Sequence, residues 1–227
     1  MSRSAPATSS SALSNALATI ARSPLFWIAT VVMIGGATAL LVMAESRADK
    51  RDPSQLPLYG QMPAFELTDH RGAPATAQAF AGKIVIANFI FTRCPTVCPV
   101  FTMKMKRVQE RTSELGDHIA LISFSVDPEH DTPQVLTAYA EKFSVDTTRW
   151  SFLTGPLDAV KKTVEGSLKI AMVREGSLEN GVPDIVHGTH FVLLDATGRI
   201  RGYYDSDVIE RIDDLVADAL ALADSIR

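Results

Sequence analysis

The sequence predicts an α/β domain in which helices flank a mixed β-sheet. Two nearly continuous apolar runs, 83–91 and 119–126, are rich in β-branched and aromatic residues, as in strands buried on both faces. Segments with apolar residues at three-to-four spacing alternate with these strands, which is typical of α/β folds. The last third combines a hairpin pattern around the turn 195–198 with an amphipathic helix, so part of the sheet should be antiparallel.

The composition agrees with one globular domain. The chain has 227 residues, 46% of them hydrophobic and 21% charged, which is enough for a single core and excludes a wholly disordered chain. A net charge of −4 argues against nucleic acid as a partner. Two cysteines cannot form a disulfide scaffold, an all-cysteine zinc site or an iron–sulfur cluster held by this chain alone.

The elements of the first half follow from local patterns. Residues 63–69 alternate apolar and polar side chains, as in a half-buried strand, and a turn follows at 70–72. The run 83–91 is the first central strand. A helix is predicted over 99–114, because its apolar residues recur on one helical face: Phe101, Met105 and Val108.

The elements of the middle follow in the same way. The run 119–126 is the second central strand, and Thr132 and Pro133 form the cap and first residue of a helix that ends near Phe143. Residues 151–153 form a short strand, and 157–166 form a helix.

The last third is predicted to contain a strand at 189–194, its hairpin partner at 199–204 and a terminal helix at 207–226. The full order is therefore β, β, α, β, α, β, α, β, β, α. Because a cysteine pair follows a central strand in this order, the predicted architecture is a thioredoxin-like α/β fold with a mixed central sheet.

The amino-terminal part differs from the rest of the chain. Residues 1–44 contain no Asp, Glu or Lys, and 25–44 carry no charge at all. About 20 helical residues span the hydrocarbon core of a bilayer, so this run predicts an uncleaved membrane anchor. A cleaved signal peptide and a buried core helix are the alternatives.

Lysine and arginine counts slightly favour the opposite orientation, but a large following domain can translocate regardless of modest charge. The predicted organisation is a cytoplasmic tail at 1–24, a transmembrane anchor at 25–44, a linker at 45–60 and the thioredoxin-like domain at 61–227. The expected location is the inner membrane, in a single pass, with the domain on the extracytoplasmic side.

The candidate functional residues are Cys94 and Cys98, which directly follow the first central strand. Pro99 suits the first position of a helix, which would make Cys98 its N-cap, where a thiol pKa is lowered. The spacing of three residues allows either a disulfide or a shared soft metal ion, with Cu(I) favoured over zinc. Two ordinary buried cysteines are the remaining alternative.

Two thiolates leave a metal short of ligands, so a histidine should complete the site. His70 and His118 are expected at the surface, and His130 near the rim of the site. His187 is favoured because it lies in a loop able to fold over the cysteines. His190 lies in the next strand and is the alternative, since side chains at odd separation on one strand point to opposite faces.

These motifs together resemble the Sco/SenC family of copper-handling, thioredoxin-like proteins over about 61–223. The similar segments are GKIVIANFIFTRCPTVCP, SFSVDPEHDTP, FLTG and HGTHFVLLDATGRIRGYYD. The resemblance implies copper, as Cu(I) or Cu(II), bound by Cys94, Cys98 and His187. Val186 stands where many members have an aspartate, and Asp127 matches an acidic family position to which we assign no catalytic part.

The resemblance also implies a function and partners: delivery of copper to the dinuclear CuA centre of cytochrome c oxidase subunit II, with a separate copper donor protein. A thiol–disulfide oxidoreductase is the alternative, in which Cys94 attacks a client disulfide and Cys98 resolves the mixed disulfide that forms. A peroxide-reducing or redox-sensing protein is the third hypothesis. The distant histidine is needed only by the first of the three.

Overall fold

The computed structural model describes residues 24, 27–28, 30–38, 51–62, 64–177 and 183–226. At 174, 177, 183–184 and 186–187 this description covers the backbone only. The chain divides into two compact units, residues 1–50 and 51–227.

The described part of the first unit is helical, with a continuous stretch over 30–38. None of the helices among the described residues is long and apolar enough to cross a membrane. This finding contradicts the predicted transmembrane helix at 25–44 and the single-pass inner-membrane location inferred from it. Residues 25–26, 29 and 39–44 of that segment lie outside the described residues.

The second unit is built on an eight-stranded mixed sheet with a separate two-stranded hairpin. The sheet order is β1-β10-β9-β4-β5-β6-β2-β3, and β7 pairs with β8. Strands β4, β5 and β6 are parallel neighbours, and all other pairs are antiparallel. The strands are β1 Gly60–Gln61, β2 Glu66–Asp69, β3 Pro74–Thr76, β4 Ile84–Ile90, β5 Ile119–Ser125, β6 Trp150–Thr154, β7 Met172–Ser177, β8 Pro183–His187, β9 His190–Leu194 and β10 Arg199–Asp205.

Four α-helices of the second unit flank the sheet: α1 Val97–Arg111, α2 Pro133–Lys142, α3 Leu157–Lys161 and α4 Ile209–Asp224. Helix α3 continues as a π-helical turn over Lys162–Ser167. Short 3₁₀ turns lie at Pro53–Gln55, Ala77–Phe80 and Ser113–His118. The predicted cap of α2 is confirmed, because Thr132 Oγ1 accepts a hydrogen bond from Val135 N at 3.3 Å.

The core lies against β4 and β5, in which every residue is buried. Phe89 and Phe124 stack across this strand pair with ring centroids 6.0 Å apart. Phe101 of α1 packs against Phe191 of β9 at 4.8 Å, which fixes the helix that carries Cys98 to the sheet. The mixed sheet and flanking helices confirm the predicted α/β fold.

Four strands were not predicted: β1, β3, β7 and β8. The first two have only two and three residues. The β7–β8 hairpin has a register shift between Arg174 and Gly176, and Gly176 has a φ of 145°, so the pattern of alternation is broken there. The segment before His187 is therefore a strand, and its prediction as a loop is wrong.

Candidate metal centre

The cysteine pair lies where β4 passes into α1. Cys94 is in the loop after the strand, and Cys98 is the second residue of α1, which begins at Val97. The prediction of Cys98 as the N-cap is therefore wrong by two positions, and Pro99 is in the first turn, where a missing N–H costs no helical hydrogen bond. Both side chains are buried, with exposed fractions of 9% for Cys94 and 0% for Cys98.

Hydrogen bonds hold the two sulfurs close together without a disulfide bond. The amide N–H of Cys98 donates to Cys94 Sγ at 3.4 Å, and the amide N–H of Phe91 donates to Cys98 Sγ at 3.5 Å. The amino terminus of α1 thus faces Cys94, and the end of β4 faces Cys98. The loop therefore presents two adjacent sulfurs, each in a different electrostatic environment.

The two thiols have opposite pKa shifts. The Cys98 thiol donates to Cys94 and, with the amide N–H groups of Cys98, Thr96 and Val97, lowers the pKa of Cys94 to about 5. The same thiol bond, together with burial, raises the pKa of Cys98 far above its usual range. At neutral pH the pair consequently holds one thiolate, on Cys94, and one proton, on Cys98.

This asymmetry predicts the pH dependence of alkylation. In the reduced, metal-free protein, the rate of Cys94 alkylation by iodoacetamide should be constant above about pH 6 and fall about tenfold per unit below pH 5, because the thiolate is the nucleophile. Cys98 should stay unmodified in the folded protein. Peptide mapping from pH 4 to 9, with glutathione as the reference thiol, measures both rates. A Cys94 midpoint near 8.5, or faster modification of Cys98, would contradict this assignment.

Asp127 lies beside the cysteine loop. Its Oδ2 accepts hydrogen bonds from Arg93 Nη2 at 2.6 Å and Nε at 3.0 Å, and its carbonyl oxygen accepts from His130 N and Asp131 N. The carboxylate is therefore paired with the residue that precedes Cys94. This arrangement agrees with the turn role expected for Asp127.

Asp131 is a site residue that the sequence analysis missed. Its side chain is fully buried and accepts hydrogen bonds from Thr92 Oγ1 and Ser125 Oγ, both at 2.6 Å, and from Thr92 N at 3.2 Å. Burial raises the pKa of its carboxyl group. An acidic residue directly before a Thr-Pro helix start, after a buried strand, was the available sequence signal.

The surroundings of His70, His118 and His130 test the sequence expectations for these three histidines. His118 and His130 are exposed. The prediction of His70 at the surface is wrong: it is buried, its ring packs on Phe152, and its Nδ1 accepts from Phe152 N at 3.4 Å. Burial lowers the pKa of His70, so it is a neutral structural histidine.

His187 and His190 lie on different sheets. His187 is the last residue of β8, opposite Met172, and its side chain is outside the described part of the chain. His190 begins β9 opposite Asp205 and borders an open groove with Tyr59 and Lys169. The alternation argument for choosing between the two histidines therefore does not apply, because they do not share a strand.

The hairpin that carries His187 lies beside Asp127. Met172 of β7 and Ile185 of β8 line a small cavity of about 50 Å³ together with Asp127 and Glu129. Among the described residues no group of three His, Cys, Asp or Glu side chains forms a metal site. The described side chains that converge at this site are those of the two cysteines.

Comparison with known proteins decides the family. A family model described as SCO1/SenC matches residues 55–222, which is most of the chain. The chain belongs to the SCO1/SenC family. The resemblance seen in the sequence is therefore confirmed, and the cysteine loop of this SCO1/SenC protein is among the matched residues.

Individual relatives match over most of their own length. The SCO1 protein homolog of Bacillus subtilis (strain 168) is 28% identical over 187 residues, covering 82% of this chain and 95% of the relative. One solved structure is that of BsSco, a member of the Sco family of cytochrome c oxidase assembly proteins, in which a disulfide switch was identified. BsSco is 28% identical to this chain, with a TM-score of 0.64, and the match covers 74% of this chain and 96% of BsSco. The structure of yeast Sco1 with copper bound is 25% identical, with a TM-score of 0.56, and the match covers 70% of this chain and 87% of the yeast chain.

Proposed function

We propose that this SCO1/SenC protein is a copper metallochaperone. It holds one Cu(I) between Cys94 and Cys98, with His187 as the third ligand, and passes it to the dinuclear CuA centre of cytochrome c oxidase subunit II. The observation that carries the proposal is the pair of adjacent, buried sulfurs that hydrogen bonds hold together without a disulfide. The copper-bound structure of yeast Sco1 and the oxidase-assembly role of BsSco support the choice of cargo and client.

The two cysteines suit Cu(I) because thiolates are soft ligands. Cys94 is already a thiolate at neutral pH, and so supplies the first bond without losing a proton. Cys98 carries the remaining proton and releases it when the metal binds. Zinc, the main competitor, usually takes four ligands, so a site with two sulfurs and one imidazole favours Cu(I).

The assignment of His187 rests on the family resemblance and on the position of the hairpin. Met172, the residue opposite His187 in the β7–β8 pair, borders the same cavity as Asp127. Asp127 in turn holds Arg93, the neighbour of Cys94. This chain of contacts supports an approach of the β8 end to the cysteine loop.

The difference in burial between the two sulfurs suits stoichiometric transfer. Cys98 is fully buried at the start of α1, whereas Cys94 keeps a small exposed surface. A thiolate of the client can therefore reach the copper from the Cys94 side and replace the ligands one at a time. No electron is transferred in this exchange, and Cu(I) is the cargo of the protein.

Copper transfer tests this proposal directly. The reduced protein is loaded with one equivalent of Cu(I) without oxygen and mixed with a copper-free, reduced soluble domain of subunit II that contains the CuA ligands. Most of the copper should co-purify with the subunit II domain after separation. Retention of all copper by the donor at equilibrium, or equal transfer from a Cu(I)–glutathione solution at the same rate, would contradict a chaperone role.

A second function is favoured by the same pKa asymmetry, namely reduction of a client disulfide. The Cys94 thiolate attacks one sulfur of the client disulfide, forms a mixed disulfide and displaces the first client thiolate. Cys98 then loses its proton and attacks Cys94 Sγ, which releases the second client thiolate. The client disulfide is reduced to two thiols, and Cys94 and Cys98 are oxidised to a disulfide.

Substitution of His187 separates the two functions. His187→Ala should weaken Cu(I) binding at least about 100-fold, because one of three ligands is lost, while disulfide reduction by the metal-free protein stays within about twofold. His190→Ala is the matched control and should leave both properties unchanged. Competition with a colorimetric Cu(I) chelator measures the affinity. Loss of copper in His190→Ala with retention in His187→Ala would reverse the ligand assignment.

A further inference from the structure

The loop that carries Cys94 is tied to the sheet by one buried side chain. Asp131 accepts two hydrogen bonds from Thr92, through Oγ1 at 2.6 Å and through the amide N–H at 3.2 Å, and a third from Ser125 Oγ at 2.6 Å. Ser125 ends β5 and is paired in register with Ile90, the last residue of β4. The carboxylate therefore joins the loop after β4 to the end of the neighbouring strand.

Thr92 lies between the two groups that define the cysteine geometry. On one side, Phe91 N donates to Cys98 Sγ at 3.5 Å. On the other side, Cys94 follows after a single residue, and its sulfur accepts from the first turn of α1. A shift of Thr92 would move both sulfurs relative to each other, because Phe91 contacts one sulfur and Cys94 carries the other.

We propose that Asp131 is a positioning residue of the cysteine pair, acting as a hydrogen-bond acceptor that holds Thr92 on Ser125 and so keeps the two sulfurs adjacent. Its hydrogen bonds go to Thr92 and Ser125, so we place its effect on the pair in the position of Thr92. The consequence for copper rests on the proposed function. The consequence for disulfide formation between Cys94 and Cys98 does not, because no metal takes part in that reaction and it is favoured when the sulfurs are held close together.

The test compares Asp131→Ala with Asp131→Asn. Asparagine keeps an oxygen for both Thr92 donors, and its amide N–H can donate to Ser125 Oγ, whereas alanine removes all three bonds. In the metal-free protein, the equilibrium constant for disulfide formation against a glutathione buffer should fall about tenfold in Asp131→Ala and stay within threefold in Asp131→Asn. Cu(I) affinity should fall about tenfold in Asp131→Ala alone, as is usual for residues that orient metal ligands.

Asp195→Ala is the matched control for the loss of a buried carboxylate. Asp195 is also buried and accepts from the amide and hydroxyl of one threonine, Thr197, but it lies in the β9–β10 turn. This variant should lower the midpoint of thermal unfolding and leave the glutathione equilibrium and the Cu(I) affinity unchanged. If Asp131→Ala does not fold, Thr92→Val, which removes only the 2.6 Å hydroxyl bond, should lower the disulfide equilibrium constant about threefold.

Several results would overturn the positioning role: an unchanged glutathione equilibrium in both Asp131→Ala and Thr92→Val, an equal change in Asp195→Ala, or an equal loss in Asp131→Asn and Asp131→Ala. The last result would assign the effect to charge and not to the hydrogen bonds. A tenfold shift of the disulfide equilibrium in a protein whose wild type binds no Cu(I) would support the role of Asp131 and reject the copper function.

Discussion

Replacing Cys98 with serine is expected to reduce the Cu(I) affinity of the reduced protein at least about 1,000-fold. A serine hydroxyl is a hard and very weakly acidic ligand, so it does not replace a thiolate on a soft metal ion. Cys94 alone then remains as a thiolate ligand, because the chain has only two cysteines. Anaerobic competition with a colorimetric Cu(I) chelator measures the loss.

The same experiment needs a control for folding. Cys98 is fully buried and accepts from Phe91 N, and serine keeps an acceptor at this position, so the metal-free variant should unfold within a few degrees of the wild type. His118→Ala, which changes an exposed histidine, should keep wild-type affinity. Wild-type Cu(I) binding by Cys98→Ser would show that the metal does not lie between the two cysteines.

Phe101→Ala is expected to have the largest effect on stability, lowering the free energy of unfolding by about 3–5 kcal/mol. The ring is 1% exposed and packs on Phe191 at 4.8 Å, where it docks α1 against β9. Its removal leaves a cavity beneath the helix that carries Cys98. Chemical denaturation of the metal-free, reduced protein followed by circular dichroism measures the change.

Val100→Ala is the matched control on the same helix. Val100 is 54% exposed, so its truncation should change the free energy of unfolding by no more than about 0.5 kcal/mol. A loss below about 1 kcal/mol for Phe101→Ala, or equal losses for the two variants, would be incompatible with the packing of α1 described above.

The parts of the fold that sequence patterns predicted are those with strong local signals. The apolar runs of β4 and β5 predicted buried strands, and every residue of both strands is buried. Thr132 and Pro133 mark the start of α2 because the cap is formed by residues that are adjacent in sequence. The β7–β8 hairpin carries polar residues, a glycine and a register shift. Its sequence therefore shows neither the two-residue period of a strand nor the 3.6-residue period of a helix. The uncharged run 25–44 has the length of a membrane span, but the described residues contain no helix long and apolar enough to cross a membrane.

The candidate site was predictable where its reactive residues lie together in one short segment of the sequence. Cys94 and Cys98 stand out by their position after a strand. The lowered pKa expected for Cys98 is wrong, because the hydrogen bond between the two side chains and burial raise it and the same bond lowers the pKa of Cys94. His70 appeared to be a surface residue because it follows a turn, yet Phe152 and burial make it structural. Asp131 reaches Thr92 across 39 residues of sequence, a contact that no local pattern contains.

The central claim is that the reduced cysteine pair holds a single Cu(I) ion. Anaerobic titration of the fully reduced protein with Cu(I), in competition with a chelator and followed by desalting and metal analysis, tests it most directly. One tightly held copper per chain in the wild type, lost in both Cys94→Ser and Cys98→Ser, is the predicted result. Absence of tight copper binding by the reduced wild type would contradict the account.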